Sequence, residues 1–225
     1  MQGYYTDKLS AEKLMKCYEI APPRVQQYLD AEINYVLQKI KPDDIVIELG
    51  CGYGRLLPSL ARKSKKVIGI DTSLSSIEMG RQMLSGISNI SLACMNAVQL
   101  GFENDVFDVV VCIQNGISAF HINQKDLINE SIRVTKPGGL ILLSSYSQKF
   151  WEHRLEWFRL QSETGLLGEI DYEKTGSGVI VCKDGFTATT VTPEQFRALT
   201  SDVENIKVNT VEVDKSSVFC EIKKC

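Results

Sequence analysis

Apolar positions along the chain keep two different rhythms. Up to about residue 40 they recur at helical spacing: Val25, Tyr28, Leu29, Ile33, Val36 and Leu37 share one face of a helix over 22–39. Ahead of it, Ser10 reads as the cap of a first helix with 13–20 as its body, broken by "APPR" at 21–24. Pro22 and Pro23 suit a first helical turn, where a backbone donor would have no intrahelical acceptor anyway. From residue 44 the rhythm changes to continuous apolar runs separated by helical stretches. "DIVIELG" (44–50), "KVIGID" (66–71), "NISLACMNA" (89–97), "FDVVVCIQN" (107–115) and 140–145 read as strands, the last entered through a "KPGG" turn at 136–139. Helices are expected over 56–63, 75–84 and 124–134.

Strand and helix alternating in this way imply βαβ units, and near-continuous Val, Ile and Leu runs imply strands covered on both faces. Right-handed crossovers then give a doubly wound α/β sheet. The last third departs from the rhythm. A helix is expected over 148–163, with Trp151, Leu155, Phe158 and Leu160 as its apolar bulk, then a hairpin over 178–191 turning at Asp184-Gly185. Thr192, Pro193 and Gln195 form a capping-box start for a helix over 192–199. Two strands, 205–213 and 217–223, close the chain across a turn too short for anything but antiparallel pairing. The expected architecture is a seven-stranded, mostly parallel sheet with an antiparallel C-terminal strand pair.

Composition narrows the class. The 225 residues favour one domain, and 44% hydrophobic with 24% charged residues is a globular balance. Apolar runs such as 109–113 are far too short to span a bilayer, and the polar stretch 1–10 carries no secretory pattern, so no membrane partner is expected. Seven cysteines lie scattered without a C-x-x-C pair, which disfavours a zinc knuckle and fits reduced thiols in a cytoplasm; no metal site is expected. A net charge of −3 disfavours nucleic acid as partner.

Candidate chemistry concentrates after the first strand. "VIELGCGYG" places Gly50, Gly52 and Gly54 where a strand ends and a helix opens, and Asp71 closes the second strand. Glycines there admit unusual φ values and close ligand approach, and a carboxylate at the next strand end accepts from ribose hydroxyls. A dinucleotide loop beginning at Gly50 would need glycine at 55, which is Arg55; the spacing is E-x-G-x-G-x-G from Glu48, and a nicotinamide oxidoreductase is disfavoured.

With these motifs in order, residues 42–145 resemble the class I S-adenosylmethionine-dependent methyltransferases, and the closing strand pair extends the likeness to the C-terminus. "VIGIDTS", "MNAVQLGFENDVFDVVVC" and "RVTKPGGLILL" look like that family's later motifs. The resemblance implies a Rossmann-like methyltransferase fold, S-adenosylmethionine as donor and S-adenosylhomocysteine as product. It implies Gly50 and Gly52 at the methionine end of the donor, in a loop with Glu48 and Cys51, Asp71 on the ribose, and Thr72 and Ser73 along the adenine side. Asn96 stands where the family more often has Asp, and with Ala97 it would flank the adenine; Gln114 would lie near the sulfonium. Tyr18 and Arg24 flank the "APPR" break, Arg24 being placed either on the methionine carboxylate or in a surface salt bridge. For Glu48 and Gly54, helix–strand packing is the competing role.

Methyl transfer from a sulfonium chiefly demands alignment, and a base is needed only when the nucleophile must lose a proton. His121 and Tyr146, on the expected acceptor side, are the candidate catalytic residues, and Tyr4 and Tyr5 the candidates for covering the site. The stretch after the fourth strand reads Ile113-Gln114-Asn115-Gly116 instead of D/N-P-P-Y, and no Pro-Cys pair occurs, so a small-molecule N, O or S acceptor is favoured over nucleic acid. A single domain over 1–225 is expected, with N-terminal helices over 1–41 and a substrate cover over 150–191. A donor-binding protein without turnover and a protein methyltransferase remain as alternatives.

Overall fold

The computed structural model describes Tyr4 and residues 8–225; Tyr5 lies outside the described residues. Its strands are β1 (Ile45–Leu49), β2 (Lys66–Asp71), β3 (Ile90–Cys94), β4 (Phe107–Cys112), β5 (Thr135–Tyr146), the short pair β6 (Ile180–Val181) and β7 (Thr187–Ala188), β8 (Ile206–Val213) and β9 (Ser217–Lys224). The main sheet runs β3-β2-β1-β4-β5-β9-β8. Its first five strands are parallel, and β9 joins β5 and β8 antiparallel. The order reverses between β1 and β4, and a doubly wound sheet opens its ligand crevice at such a reversal.

The helices are α1 (Glu12–Glu19), α2 (Pro23–Leu37), α3 (Leu57–Ala61), α4 (Leu74–Met83), α5 (Gly116–Ala119), α6 (Gln124–Val134), α7 (Trp151–Glu163) and α8 (Pro193–Thr200). On one face of the sheet, Leu127, Ile128 and Phe196 from α6 and α8 pack with Phe107 and Ile141. On the other, Val36, Leu57, Leu60 and Ile77 from α2, α3 and α4 pack with Val67, Val111 and Phe219. Each such fully buried aliphatic or aromatic side chain contributes about 1.5–3 kcal/mol by leaving water. Among the described residues no helix is long and apolar enough to cross a membrane.

Several local expectations are corrected. Ser10 does not cap α1: Ala11 holds that position at φ 49 without a side-chain bond, and the Ser10 hydroxyl instead meets Ser75 on α4. β3 ends at Cys94 and β4 at Cys112, because Asn96 and Gln114 turn out of the ladder toward the crevice. "KPGG" is no entry turn: it lies within β5 as a bulge, where Phe107 pairs with Thr135 but Val109 pairs with Leu140. Lys136 clamps that bulge with an ion pair to Asp108 at 2.8 Å. The helix expected from 148 begins as a 3-10 turn, Gln148–Phe150, before α7. The capping box at Thr192 and Gln195 forms as read.

A separate hydrophobic cluster ties the N-terminal helices to the segment after β5. Cys17, Val25 and Tyr28 from α1 and α2 pack with Phe150, Trp157, Phe158, Ile180 and Phe186. The indole N–H of Trp157 donates to the Cys17 carbonyl at 2.8 Å. Arg154, 1% exposed, donates from Nη1 to the Gly178 carbonyl and from Nη2 to that of Ala188, which pins the β6–β7 hairpin to α7. Tyr4 reaches the hairpin turn, its hydroxyl donating to Asp184 Oδ2 at 2.7 Å.

Candidate active site

A cavity of about 280 Å³ opens past the carboxyl ends of β1, β2 and β4, between the glycine loop and the second hydrophobic cluster. The loop is built by the end of β2. The Gly50 and Cys51 N–H groups both donate to the Ile70 carbonyl, which turns the chain sharply as it leaves β1. Gly50 and Gly52 adopt φ +74 and +55, the left-handed region costly to residues with a Cβ. A Cβ on Gly52 would stand 2.8 Å from Leu14 Cδ2, and one on Gly50 would run into the Phe120 ring. Both positions therefore require glycine, by backbone conformation and by the close packing of Phe120 and Leu14.

Asp71 joins this loop to β2. Its Oδ2 accepts from the Gly52 N–H at 2.9 Å and its Oδ1 from the Ser73 N–H at 2.8 Å. Burial raises its pKa, and the N–H groups of Ser73, Gly52 and Thr72 pull it back. An ionised carboxylate has about four acceptor sites, so these two bonds leave capacity for a ligand's hydroxyls. Thr72, Asn96 and Ala97 continue the wall beside it. Asn96 Oδ1 takes the Val98 N–H at 3.2 Å. Ser73 is a correction: it is not in the wall but caps α4, its hydroxyl oxygen accepting from the Ser76 N–H.

The methionine end expected from the glycine loop is occupied by a cluster of charged and polar groups. Glu48 is 5% exposed, and burial pushes its carboxyl up to about 8 against the opposing pull of Arg55. Its Oε2 has no hydrogen-bond partner among the described residues. Arg55 lies 4.2 Å from the centre of the Tyr18 ring and donates from Nη2 to Gln114 Oε1 at 2.6 Å. The Tyr18 hydroxyl shares that oxygen at 3.4 Å. A guanidinium only donates, so it fixes the Gln114 amide with its oxygen toward Arg55. The Gln114 backbone, at φ 57, is held by its own N–H donating to Glu32 Oε2 at 2.7 Å and to Ser144 Oγ at 2.9 Å.

Arg24 is the second correction. It is absent from the cavity wall, and its guanidinium donates to Asp214 Oδ2 at 2.7 Å and to the Asp214 carbonyl at 2.8 Å, at the β8–β9 turn. Of the two roles open to it, the structure shows the salt bridge. Among the described residues Arg55 supplies a cation to the wall, whereas in the sequence it stands out only by taking the place of a dinucleotide loop's glycine. Its signal was a charge directly following the last glycine of the loop.

Cys51 lines the cavity, but burial pushes its thiol well above the ordinary range, which keeps it protonated and unreactive. His121 sits at an exposed point of the wall at φ 51. Tyr146 is buried at the inner end, its ring 5.2 Å from that of Tyr28 and 4.6 Å from the Arg154 guanidinium. Burial drives its hydroxyl pKa upward while Arg154 pulls it down. Trp157 and Phe158, which pack in one cluster with Tyr146, also line the cavity, as do Gln161 and Phe120, the last with its ring against Gly50; aromatic residues at helical spacing read equally well as core in the sequence. Among the described residues no cluster of His, Cys, Asp and Glu has the arrangement of a metal site.

A methyltransferase domain family matches residues 46–139, which carry the glycine loop, Asp71, Asn96 and Gln114. Over those residues the chain is similar to the S-adenosylmethionine-dependent methyltransferases. The methyltransferase fold is shared with NodS of Bradyrhizobium japonicum, an N-methyltransferase solved with S-adenosylhomocysteine, at TM-score 0.63 and 15% identity, over 97% of this chain and 99% of that one. By sequence, the chain is 26% identical over 149 residues to a 2-methyl-6-phytyl-1,4-hydroquinone methyltransferase of Synechocystis sp., covering 58% of this chain and 46% of that protein. It is 28% identical over 163 residues to a malonyl-[acyl-carrier protein] O-methyltransferase of Marinomonas sp., covering 67% and 58%. The chain thus spans about half the length of the relatives it matches.

Proposed function

We propose that the chain transfers a methyl group from S-adenosylmethionine to an N, O or S atom of a small molecule and releases S-adenosylhomocysteine. The observation that carries the reading is Asp71, a buried carboxylate held by Gly52 and Ser73 with acceptor capacity left over, beside glycines in left-handed backbone that line the same cavity. The residues fit the donor along its length. Asp71 would hold the ribose, Asn96 and Ala97 the adenine, and Arg55 and Glu48 the carboxylate and ammonium of the methionine. Glu48 suits that part because its buried Oε2 is a polar atom waiting for a donor.

Bound S-adenosylmethionine supplies a methyl group on a positively charged sulfur leaving group. What the protein's own residues add is position and the exclusion of water. Gln114, clamped at both backbone and amide, marks the boundary between donor and acceptor ends. Tyr146, Trp157 and Phe158 would give the acceptor end an apolar, aromatic wall suited to a small planar molecule. Residues 150–191 with the helices before residue 41 act as its cover, within one domain. The relatives' names, a hydroquinone and a malonyl-[acyl-carrier protein] methyltransferase, support an acceptor other than nucleic acid. Seven free cysteines support work in a reducing cytoplasm.

Calorimetric titration with S-adenosylmethionine tests the donor assignment, and S-adenosylhomocysteine release from a metabolite pool tests turnover. Binding without release from any nucleophile class would identify a sensor or partner subunit instead. Absence of binding would overturn the reading altogether.

A further inference from the structure

The buried positions of α7 are Arg154, Trp157, Phe158 and Gln161, the i, i+3, i+4, i+7 spacing of one helix face. Arg154 is committed to the hairpin through the Gly178 and Ala188 carbonyls. Trp157 and Phe158 join Tyr146 in an apolar cluster and line the cavity. Gln161 lines it with them at 4% exposure. Helical periodicity asks for an apolar residue there, packed beside Trp157 and Phe158, and an amide without a partner is costly in such a place.

Gln161 is held by its backbone and free at its side chain. Its carbonyl accepts from the Leu166 and Leu167 N–H groups at 2.9 and 3.2 Å and from the Thr164 hydroxyl at 3.2 Å, which fixes the last turn of α7. Its side-chain amide has no hydrogen-bond partner among the described residues. Asn115, at the same 4% exposure, shows the contrast: Nδ2 donates to the Thr189 carbonyl and Oδ1 accepts from the Ser145 hydroxyl. Nor is the Gln161 amide sealed from every side, as Glu48 Oε2 is; it keeps a small exposure, in the wall of the cavity. The polar ends of the aromatic side chains near it are engaged. The Trp157 N–H is spent on the Cys17 carbonyl, the Tyr18 hydroxyl on Gln114 and the Tyr4 hydroxyl on Asp184.

We propose that Gln161 is the specificity-determining residue of the acceptor end, its free amide reading a neutral planar molecule that carries a hydrogen-bond donor beside an acceptor on one edge, as a cyclic amide does. The inference rests on the methyltransferase reading and adds the class of acceptor to it. A carboxamide presents N–H and C=O side by side, so it makes two parallel bonds to such an edge, as side-chain amides do to the paired edge of adenine. The rings of Trp157 and Phe158, on the same helix face, take the flat apolar part. Among the described residues α7 contributes no charged side chain to the wall; Glu48, Arg55, Asp71 and His121 come from other elements. A neutral edge therefore matches this face better than an ionised one. A molecule lacking the edge strips the amide of water and returns no bond, which is the source of the selectivity.

The test uses 2-quinolone, a flat neutral bicycle with adjacent N–H and C=O, against N-methyl-2-quinolone, which keeps the rings and the carbonyl without the donor. Each is titrated into the full chain saturated with S-adenosylhomocysteine, following the side-chain ¹⁵N–H₂ signals of Gln161, assigned by their loss in Gln161→Met. In the wild type 2-quinolone shifts those signals and binds at least about tenfold more tightly than its N-methyl analogue. Gln161→Met, close to glutamine in length and volume, abolishes the preference and keeps Tm at or above the wild-type value, since a thioether needs no partner beside Trp157 and Phe158. Binding of neither probe by the wild type, equal binding of both, a preference that survives Gln161→Met, or a fall in Tm that marks the amide as structural overturns the proposal. Calorimetry with S-adenosylhomocysteine runs alongside. Its affinity stays within about twofold in Gln161→Met; a larger loss hands Gln161 to the donor and overturns its role toward the acceptor. Failure of the wild type to bind S-adenosylhomocysteine would sink the methyltransferase reading, and the two probes, titrated without it, would still decide what the Gln161 amide reads.

Discussion

Arg55 Nη2 meets Gln114 Oε1 at 2.6 Å, and this contact locks the end of β4 to the glycine loop. The same guanidinium lies over Tyr18, so one side chain gathers three elements around the glycine-loop end of the cavity. Arg55→Ala is expected to weaken S-adenosylmethionine binding by about 1.5–3 kcal/mol, the scale for a hydrogen bond to a charged group. Arg55→Lys recovers little, because an ammonium offers neither the flat face over Tyr18 nor the planar fork. Calorimetry on the three proteins decides this; full recovery by lysine would show that Arg55 supplies charge alone.

Asp71 accepts from the Gly52 and Ser73 N–H groups and is read as also accepting from the donor's ribose hydroxyls. Asp71→Asn should retain one loop bond in each direction of the amide and lose affinity for S-adenosylmethionine by about 1–3 kcal/mol. Asp71→Ala should lose at least as much and lower Tm as well, since the Gly52 and Ser73 donors are then left without it. Unchanged affinity in a folded Asp71→Asn protein would remove the ribose assignment.

Glu48 links stability to pH. Its carboxyl rises from an ordinary 4.5 to about 8 on folding, so between those values the folded protein holds a proton that the unfolded chain has released. The stabilisation is complete below the unfolded value and fades as pH rises through the folded one. Tm should therefore fall as pH climbs from about 5 to about 8. Glu48→Gln should flatten that slope and raise Tm by roughly 3–8 °C at the alkaline end, where the wild type must bury a charge. A slope unaffected by the substitution would place the titration elsewhere, Glu32 being the first place to look.

Arg24 separates stability from binding. Its guanidinium and Asp214 are both partly exposed, at 26% and 21%, and make two short bonds that tie α2 to the β8–β9 turn. Arg24→Ala is expected to cost about 1 kcal/mol or less of stability and to leave S-adenosylmethionine affinity unchanged. Thermal melts and calorimetry on one sample check both halves. A large loss of affinity would return Arg24 to the methionine carboxylate.

Much of this fold is legible locally. The helix over Gln124–Val134 has the bounds its periodicity predicts, and the capping box at Thr192 forms because its partners are three residues apart. The strands are recognisable because a sheet covered on both faces requires apolar residues at nearly every position. The loop from Glu48 to Gly54 and the acid at Asp71 are legible for a similar reason: left-handed backbone at a strand end demands glycine, and spacing along one βαβ unit sets where the next strand's carboxylate falls.

What the sequence by itself determined, then, is the strands, the helices that cover them and the glycine loop with its carboxylate, each governed by periodicity or spacing within a short stretch of chain. Tertiary structure decided the rest. Arg24 and Arg55 are both arginines beside glycine- or proline-rich turns, and only the approach of the β8–β9 turn hands one to Asp214 while the other reaches Gln114. Ser73 became a helix cap because Ser76 N–H points back at it. Glu32 carries no local signal in the sequence, and only the packing of α2 against the end of β4, β5 and β9 removes it from water. Burial and partner choice depend on which distant segments meet, and no local periodicity encodes that.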